Sequence, residues 1–460
     1  MRSNLFQPKD NVIAAVSDLR TVMQGAVHMH GDERYNTARK ISNFAVDHRP
    51  VLIALCETAA DVQAVVRIAR EHNIPLSVRG GGNDWVGRAL RHDGLVIDLT
   101  RMRNVEIDAT ARIATLQGGA TAGDLIGAAS ADDLVAVTGM VNTVGMAGLT
   151  LGGGYGPLTP RYGLALDNLL SAEVILFDGT CVRADASENA DLFWALRGGG
   201  GNFGVVTSMQ VRLYSIDSPL HGPVVFPWSQ AESVLHRYVE FMASAPDELA
   251  VTAGVSFAPS DGDPVMFISP TWSGEPRRGE QIITQLQGFG TPIVSKVAQM
   301  PYSEVLRKGD EIIANVNRFA VETRWQAAIT SYAISEIIAA GNHSPSPRSM
   351  ITLQSFHGSP TRIPLESTAF GLRQRHFLVL IIAAWDENAE DTGRRPREWP
   401  QGLSQAIAPE SLPGGYANLL APDAYDQISC AYGSNSTRLK EIKKQFDPEG
   451  MFLSAIPLPD

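Results

Sequence analysis

The chain has 460 residues, a formal net charge of −11 at pH 7 and a hydrophobic fraction of 44%. This length predicts two or three domains, and the apolar fraction is sufficient for a sizeable core. The acidic balance disfavours nucleic acid and anionic membrane surfaces as partners. Since no apolar run approaches the roughly 18 residues of a membrane-spanning helix, the composition also argues against a membrane protein.

Three cysteines, Cys56, Cys181 and Cys430, lie far apart in the chain and form no Cys-x-x-Cys pair. This spacing disfavours a disulfide framework or a structural zinc site, and it is typical of a reducing compartment. The first ten residues contain no apolar segment of the kind found in secretion signals. We therefore expect a cytoplasmic protein without a bound metal.

The first half of the chain alternates predicted strands and helices. Residues 51–56 form an apolar run typical of a buried strand, and Thr58 is placed to cap a helix over residues 59–71. Residues 75–78 predict the next strand, so this segment is predicted to be a β-α-β unit. Further predicted elements are strands at 95–99, 113–117 and 203–213, a helix at 122–129, and a strand at 174–177 that runs into a hairpin turn at Asp178-Gly179.

From about residue 215 to residue 412 glycine becomes sparse, and Trp and Phe become frequent. Helical and strand-like patterns alternate here, which predicts a second α+β domain with a sheet that binds a ligand on one face. The predicted helices are 230–243, 276–288 and 330–340, and the predicted strands include 265–268 and 377–384. Residues 438–446 predict a short amphipathic helix that ends before Pro448.

Glycine is concentrated in one part of the chain, since 23 of the 42 glycines lie between Arg79 and Gly204. Glycine lets the backbone approach a ligand closely, and the run Gly80-Gly81-Gly82 after a strand can direct successive N–H groups at a phosphate. An ordinary turn is the alternative for this loop alone. Because residues 118–119, 152–156 and 198–201 are also glycine-dense, we expect a long phosphate-bearing ligand held by several backbone segments.

Standard nucleotide and hydrolase motifs are absent from the sequence. There is no P-loop, no His-Glu-x-x-His and no Gly-x-Ser-x-Gly. Residues 152–157 superficially match a dinucleotide-binding fingerprint, but Pro157 and Pro160 would interrupt the helix that such a site needs. A Rossmann-type site at this position is therefore disfavoured.

Longer motifs carry a resemblance to a known family. In chain order they are Ser77-Val-Arg-Gly-Gly-Gly82, Ile97-Asp-Leu99, Thr138-Gly-Met140, Gly152-Gly-Gly-Tyr-Gly156, Arg161-Tyr-Gly-Leu164, Asp167-Asn168, residues 192–206, Tyr432-Gly433, Arg438-Leu439, Lys443 and Phe446-Asp-Pro448. Together they resemble the berberine bridge enzyme-like FAD-linked oxidases of the vanillyl-alcohol oxidase and p-cresol methylhydroxylase superfamily. The chain looks most similar to bacterial members of the 6-hydroxy-D-nicotine oxidase type, and the resemblance is weakest between about 215 and 340.

The resemblance implies an α+β fold with a two-part p-cresol methylhydroxylase-type FAD-binding domain and an α+β substrate domain with an antiparallel sheet. Residues 1–213 would form the first part of the FAD-binding domain, and residues 214–412 the substrate domain. Residues 413–460 would return to the FAD-binding domain. FAD would lie extended in its domain and carry the redox chemistry, with the substrate between the flavin ring and the sheet.

The resemblance also implies which residues contact FAD. The loop from Arg79 to Gly82 would hold the pyrophosphate, the segment from Gly139 to Gly156 would surround the flavin, and Gly200 to Val206 would line the remainder. The implied set is Arg79, Gly80, Gly81, Gly82, Asn83, Asp84, Gly87, Gly139, Met140, Val144, Gly145, Gly148, Leu149, Gly153, Gly154, Tyr155, Gly156, Leu158, Gly200, Asn202, Gly204, Val205, Val206, Tyr416 and Asn418.

The sequence departs from its family at the flavin linkage. Most relatives have a histidine after Arg-Gly-Gly-Gly that bonds to the flavin 8α-methyl group, whereas this chain has Asn83. A carboxamide nitrogen is not a nucleophile because its lone pair is delocalised into the carbonyl. Doubly linked relatives also use a cysteine, and Gly145 stands at the matching position here. We therefore predict that FAD is bound without a covalent link.

A second departure concerns the proton acceptor. Plant members carry Glu or Gln on a substrate-domain strand before a Trp, whereas residues 377–385 contain no ionisable side chain and Leu380 is the nearest match. A proton acceptor must then lie elsewhere, or be unnecessary, as in hydride removal from a neutral amine. The candidate catalytic residues are Tyr155, His357, Tyr416, Asn418 and Tyr432. A buried structural side chain is the alternative for both Tyr155 and His357.

These features predict an FAD-linked oxidase that removes a hydride from a C–H bond next to N or O of a small organic substrate and is reoxidised by O2. The Trp, Phe and Leu content of the middle domain favours a bacterial secondary metabolite over a simple sugar. Two alternatives keep the fold, namely a cyclase or isomerase without net oxidation and a flavin-binding protein without catalysis. No nucleic acid or membrane partner is expected, and the protein is expected to be a monomer or homodimer.

Overall fold

The structure, a computed structural model, describes residues 10–258, 262–314, 318–385, 394–453, 456 and 458. Residues 1–9, on which the expectation about a secretion signal depends, lie outside the described residues. The described part of the chain is α+β, as the sequence predicts, and it contains three β-sheets. None of its helices combines the length and the apolar character needed to cross a lipid bilayer.

The first sheet is built around the predicted β-α-β unit. Its strands are β1 (Ala26–Met29), β2 (Leu52–Leu55), β3 (Leu76–Arg79) and β4 (Leu95–Asp98). Strand β4 lies between β2 and β3 and runs parallel to both. The connecting helix begins after Thr58, whose hydroxyl accepts from the amide of Asp61 while the Asp61 carboxylate accepts from the amide of Thr58. The glycine run 80–82 directly follows β3.

The second sheet is antiparallel and contains the predicted hairpin. Its strands are β5 (Val105–Asp108), β6 (Ile113–Gln117), β7 (Val135–Ala136), β8 (Leu169–Ile175), β9 (Cys181–Asp185) and β10 (Val205–Tyr214). Strand β10 pairs with β6 on one side and β8 on the other. The turn between β8 and β9 contains Gly179 at φ +79°, a conformation that favours glycine.

The third and largest sheet is also antiparallel and lies within the predicted substrate domain. Its strands are β11 (Leu220–His221), β12 (Val224–Pro227), β13 (Leu249–Phe257), β14 (Pro264–Trp272), β15 (Val294–Ser295), β16 (Ala298–Gln299), β17 (Phe319–Gln326), β18 (Met350–Phe356) and β19 (His376–Ala384). The main order is β15-β12-β14-β13-β18-β19-β17, so strands far apart in sequence become neighbours.

The predicted helices are present with bounds shifted by at most two residues. The α-helices are α1 (Asp10–Val22), α2 (Tyr35–Ala38), α3 (Ala59–Glu71), α4 (Ala122–Ala129), α5 (Met146–Gly152), α6 (Thr159–Tyr162), α7 (Ala190–Leu196), α8 (Ala231–Met242), α9 (Pro276–Gln287), α10 (Tyr302–Ile313), α11 (Ser331–Asn342), α12 (Arg394–Ile407), α13 (Tyr425–Ile428) and α14 (Ser436–Phe446). The helices that were not predicted are α1, α2, α5, α6, α7, α10, α12 and α13. The shortest of them are single turns, which carry little periodicity, but α1, α10 and α12 are long helices that the sequence analysis missed.

The two faces of the large sheet have different environments. Val251 of β13 and Ile381 of β19 pack with α8, α9 and α11 in one hydrophobic core. Thr252 and Gln354 point the other way, because successive strand residues face opposite sides of a sheet. This second face is directed at the glycine-rich segment around Tyr155. We call it the cleft face.

The C-terminal helix returns to the second sheet after the chain has formed the large one. Leu439 and Ile442 of α14 share a hydrophobic core with Leu192 of α7 and Met209 of β10. A return of this kind is what the resemblance implies for residues 413–460. The division at residues 213 and 412 stays a prediction that this packing favours.

Candidate functional site

The loop after β3 presents a row of free backbone donors. Within the described residues, the amides of Gly80, Gly81 and Gly82 donate to no protein group. Gly82 has φ +73°, and a Cβ atom added to Gly81 would lie 2.5 Å from the amide nitrogen of Gly145. A side chain at Gly81 would therefore push this loop away from the segment around Gly145, whereas a side chain at Gly82 would be strained by the positive φ and would press on Arg79. Consecutive free N–H groups of this kind form an anion site, and they fit the pyrophosphate of FAD without a positive charge.

The side chain of Arg79 packs against this loop and links it to neighbouring segments of the chain. One guanidinium nitrogen donates to the carbonyl of Ala38 at 2.6 Å and lies 3.4 Å from the carboxylate of Asp98. Its Nε lies 3.0 Å from the position of a Cβ on Gly82 and has no hydrogen-bond partner among the described residues. These contacts give Arg79 a part in shaping the loop. Its contact with phosphate stays a prediction.

The two positions of the flavin linkage lie beside this loop. Asn83 is exposed, and its side-chain nitrogen donates to the hydroxyl of Thr143 at 3.0 Å. A Cβ on Gly145 would lie 2.4 Å from the amide nitrogen of Gly81, so this backbone leaves no room for a cysteine there. The three cysteines occur elsewhere, with Cys56 buried and the other two exposed. Asp84 folds back on the chain and accepts from the amides of Val86 and Ala89.

Many of the other predicted FAD-contacting glycines are in close contact with protein atoms. A Cβ would lie 1.8 Å from the Thr138 carbonyl at Gly156, 2.4 Å from Ala165 at Gly154 and 2.6 Å from Val174 at Gly204. The glycines at these positions are thus required by the fold itself, whatever they also do for a cofactor.

The remaining members of the implied set are divided between packed and open positions. Asn202 is buried and donates to the carbonyls of Gly199 and Ile456, and Leu158, Val205 and Val206 are buried in hydrophobic cores. The more open positions are Met140, Val144, Gly148 and Leu149, whereas Gly87, Gly139, Gly153 and Gly200 are buried. FAD contact at all of these residues stays a prediction.

Three of the predicted catalytic residues lie together. The hydroxyl of Tyr416 accepts from the amide of Gly154 at 2.9 Å and from the side chain of Asn418 at 3.0 Å. The rings of Tyr155 and Tyr416 lie 4.8 Å apart, within an aromatic cluster that also contains Trp325. The C-terminal segment thus holds the glycine loop at residues 152–156 in place.

Sequence reasoning missed His376, the partner of Tyr155. The Tyr155 hydroxyl lies 3.0 Å from Nε2 of His376, and Nδ1 of His376 lies 2.8 Å from the carbonyl of Gln374. Because a carbonyl only accepts, Nδ1 carries the proton and Nε2 accepts from Tyr155. Complete burial lowers the pKa of His376 to about 4 and raises that of Tyr155 well above its ordinary value. His376 begins β19, one residue before the predicted strand, and a search for polar residues at the strand ends could have found it.

The other two catalytic candidates lie apart from this cluster. Both ring nitrogens of His357 have protein partners, the hydroxyl of Ser355 at 3.1 Å and the carbonyl of Pro246 at 3.4 Å, and burial lowers its pKa. This environment is that of a structural histidine. Tyr432 packs in the core of the second sheet, where burial raises the pKa of its hydroxyl. Neither position favours a role in proton transfer.

A narrow cleft separates the glycine loop from the large sheet. Its walls are Met140, Tyr155, Gly156, Pro157, Thr159 and Pro160 on one side and Ala250, Val251, Thr252, Thr271, Gln354 and Ser355 on the other. The cleft therefore brings Tyr155 opposite the cleft face. In the part of the chain that the structure describes, no group of three or more His, Cys, Asp or Glu side chains could hold a metal ion.

The aromatic residues of the middle domain are divided between the helix side of the large sheet and the cluster around Tyr155. Trp272, Phe226 and Phe289 pack on the helix side of the sheet. Trp325, Phe356 and Phe370 instead pack in one cluster with Tyr155, which lines the cleft. A secondary-metabolite substrate stays a prediction.

The fold and the site define a flavin-dependent oxidoreductase, and the comparisons with known proteins agree. Residues 50–185 match the FAD binding domain family, and residues 415–457 match the family described as berberine and berberine like. The (R)-6-hydroxynicotine oxidase of Paenarthrobacter nicotinovorans is 30% identical over 450 residues, which cover 94% of this chain and 95% of that protein. The FAD-linked oxidoreductase aurO of Gibberella zeae is 30% identical over 445 residues, which cover 95% and 85%.

Solved structures share the whole fold. The crystal structure of 6-hydroxy-D-nicotine oxidase from Arthrobacter nicotinovorans has a TM-score of 0.85 at 29% identity and covers 95% of this chain and 98% of that one. Berberine bridge enzyme has a TM-score of 0.87 at 20% identity, with 98% and 99% covered, which shows the fold alone. The chain therefore belongs to the berberine bridge enzyme-like FAD-linked oxidoreductases. The predicted family, p-cresol methylhydroxylase-type fold and FAD-linked oxidase class are confirmed, and the alternative of a flavin-binding protein without catalysis is set aside.

Proposed function

We propose that this enzyme oxidises a small organic substrate at a C–H bond next to nitrogen or oxygen, and that O2 is its electron acceptor. Bound FAD supplies the redox chemistry, since its ring system accepts a hydride and passes the electrons to O2. The observation that carries the proposal is the hydrogen bond from Tyr155 to His376 at the wall of the cleft. It supports a proton acceptor at the place where a substrate would lie.

The other residues of the site would bind FAD and orient Tyr155. The amides of Gly80, Gly81 and Gly82 would hold the pyrophosphate of FAD. Tyr416 and Asn418 would keep the glycine loop and Tyr155 at a constant distance from the large sheet. Tyr155 would take the proton of a substrate O–H or N–H group while its own proton moves to Nε2 of His376.

We further propose that FAD is bound without a covalent link. Asn83 is chemically inert toward the flavin methyl group, and the close contact between Gly145 and Gly81 supports the absence of a linking cysteine. The proposal also keeps the division into residues 1–213, 214–412 and 413–460, a cytoplasmic location and a monomer or homodimer.

Anaerobic mixing with a panel of amines and alcohols tests the reaction class. A substrate of the proposed kind bleaches the visible absorbance of the flavin, and admission of air restores it with formation of hydrogen peroxide. A product of unchanged mass without net bleaching would instead support the cyclase or isomerase alternative. Failure of O2 to restore the absorbance of chemically reduced flavin would contradict the oxidase function directly.

A further inference from the structure

Helix α10 of the predicted substrate domain packs along the segment from Thr138 to Asn142, which leads into the residues expected to surround the flavin. The buried hydroxyl groups of Thr138 and Tyr302 lie 3.1 Å apart, within hydrogen-bond distance. A Cβ atom on Gly309 would overlap the carbonyl oxygen of Met140, so the backbone of the helix itself touches this segment. The contact between the two predicted domains thus extends along much of α10.

At the end of this contact, Asp310 binds both donor groups of Asn142. One carboxylate oxygen accepts from the backbone amide of Asn142 at 2.9 Å, and the other accepts from its side-chain nitrogen at 2.8 Å. Hydrogen bonds to a carboxylate are charge-assisted and stronger than those between neutral groups. Because one of the two donors is a backbone amide, Asp310 holds the main chain at this position as well as the side chain.

The opposite side of the same segment is held by the beginning of α4. The carbonyl of Asn142 accepts from the amide of Gly123, and the carbonyl of Val144 accepts from the amide of Ala122, each at 2.9 Å. The main chain at 142–144 therefore lies between α4 and Asp310 of α10. Loss of the bonds to Asp310 would release it on one side while the bonds to α4 remain.

This segment determines the spacing of the two loops at the proposed FAD site. The hydroxyl of Thr143 accepts from the side chain of Asn83, and Gly145 packs directly against Gly81 in the row of free amides. A displacement of the main chain at Asn142 would move both contacts, because Thr143 is the next residue along the chain. Small displacements of this kind weaken binding and alter the surroundings of a bound group.

We propose that Asp310 is a positioning residue for FAD. Through Asn142 it holds residues 143–145 against the loop at 80–82, and it thereby determines how tightly FAD is retained and what environment the flavin ring meets. The inference rests on the proposed function, since it takes these two loops as the FAD site. The sequence motifs do not indicate Asp310, because it lies in the part of the chain where the family resemblance is weakest.

The test compares variants of the purified holoenzyme by the rate of FAD release on dilution and by the visible circular dichroism of the bound flavin. Asp310→Ala removes the acceptor oxygens and is expected to release FAD about tenfold faster than wild type, with a changed dichroism. Asp310→Asn keeps the side-chain size but turns an N–H group toward one donor, so it should change both quantities in the same direction. It serves as the test if the alanine variant does not fold.

The matched control is Glu311→Gln at the next position of the same helix. The Glu311 carboxylate is exposed and pairs with Arg307 and Lys308, so this variant should behave as wild type in both measurements. A lower unfolding temperature of Asp310→Ala without a change in FAD release or dichroism would mean a purely structural role and would refute the proposal. The dichroism does not depend on how FAD is linked, so it decides the test even for a flavin that is not released.

A double variant tests the route through Asn142. If Asp310 acts through this residue, Asn142→Ala combined with Asp310→Ala should release FAD no faster than Asp310→Ala alone. Additive effects of the two substitutions would overturn the proposed route. The proposed function is judged separately, by the reoxidation of chemically reduced wild-type flavin in air.

Discussion

The hydroxyl of Tyr155 and Nε2 of His376 lie 3.0 Å apart, although 221 positions separate them in the chain. The bond joins the glycine loop to the first residue of β19, and thereby the predicted FAD-binding domain to the predicted substrate domain. Because Nδ1 of His376 donates to the carbonyl of Gln374, the imidazole presents an acceptor to Tyr155. The proton of Tyr155 is thus directed at Nε2 of His376, and under the proposed function the oxygen of Tyr155 is the acceptor for a substrate proton.

Replacement of His376 tests this pair. His376→Leu removes the acceptor and is expected to slow flavin reduction by about a hundredfold while FAD stays bound. His376→Gln, which can still accept from Tyr155, should lose less. Because the pKa of His376 is about 4, the wild-type reduction rate should fall as the pH drops through that value and Nε2 becomes protonated. Stopped-flow reduction as a function of pH measures both effects. A His376→Leu rate equal to wild type would exclude the proton path.

The proposed noncovalent binding of the flavin depends on Asn83. Acid precipitation of the wild-type protein should leave the yellow colour in the supernatant, because no nucleophile stands at the linkage position. Asn83→His should move the colour to the pellet, since an imidazole nitrogen at this exposed position beside Thr143 can attack the flavin methyl group. Asn83→Gln is the matched control and should behave as wild type. A yellow wild-type pellet would disprove noncovalent binding.

Gly81 is expected to tolerate no side chain. In Gly81→Ala the new Cβ would lie 2.5 Å from the amide nitrogen of Gly145, so the two loops must move apart and the row of free amides is distorted. We expect loss of bound FAD, measured as the flavin-to-protein absorbance ratio. Gly127→Ala in α4 is the control, because no atom lies within 4 Å of its Cβ position. It should retain FAD and gain up to about 1 kcal/mol of helix stability. A fully loaded Gly81→Ala protein would show that this loop does not hold the pyrophosphate.

The buried carboxyl of Glu322 is expected to make the free energy of unfolding depend on pH. Burial, with a contribution from Asp423, raises the pKa of its carboxyl to about 7, against partial compensation by Arg324. The folded state therefore holds a proton that the unfolded state has released. Stability should fall as the pH rises from about 4.5 to about 7, by less than about 1.4 kcal/mol per pH unit. Glu322→Gln removes this dependence and should unfold at a higher temperature than wild type at pH 8. An equal pH dependence in both proteins would contradict the raised pKa.

Local signals in the sequence were sufficient for some of the elements. The helix over 59–71 has the predicted bounds, because its cap at Thr58 and its apolar face both depend only on residues within this segment. The hairpin at Asp178-Gly179 is equally local, since one turn residue adopts a positive φ. The single-turn helices α2, α6 and α13 escaped prediction for the opposite reason, as their conformation depends on what they pack against.

The candidate site was predicted in part. Tyr155, Tyr416 and Asn418 were named from motifs, and the structure brings them together. His357 was named for its chemistry and proves to be enclosed by Ser355 and Pro246. The glycine excess was interpreted as a sign of ligand contact, but at Gly154, Gly156 and Gly204 the neighbouring atoms are those of the protein. The number of glycines in a segment does not show whether a ligand or another part of the protein packs against them.

The sequence by itself determined the family, the class of cofactor and the absence of a nucleophile at Asn83, because these depend on residue identity along continuous motifs. Only the tertiary structure decided that His376 meets Tyr155 and that Thr323, Leu380 and Thr352 share one row. Such relationships arise from the pairing of distant strands, and a shift of one residue in register would turn each side chain to the opposite face. The motifs that indicate the cofactor are thus encoded locally, whereas the contact between Tyr155 and His376 is assembled by the fold.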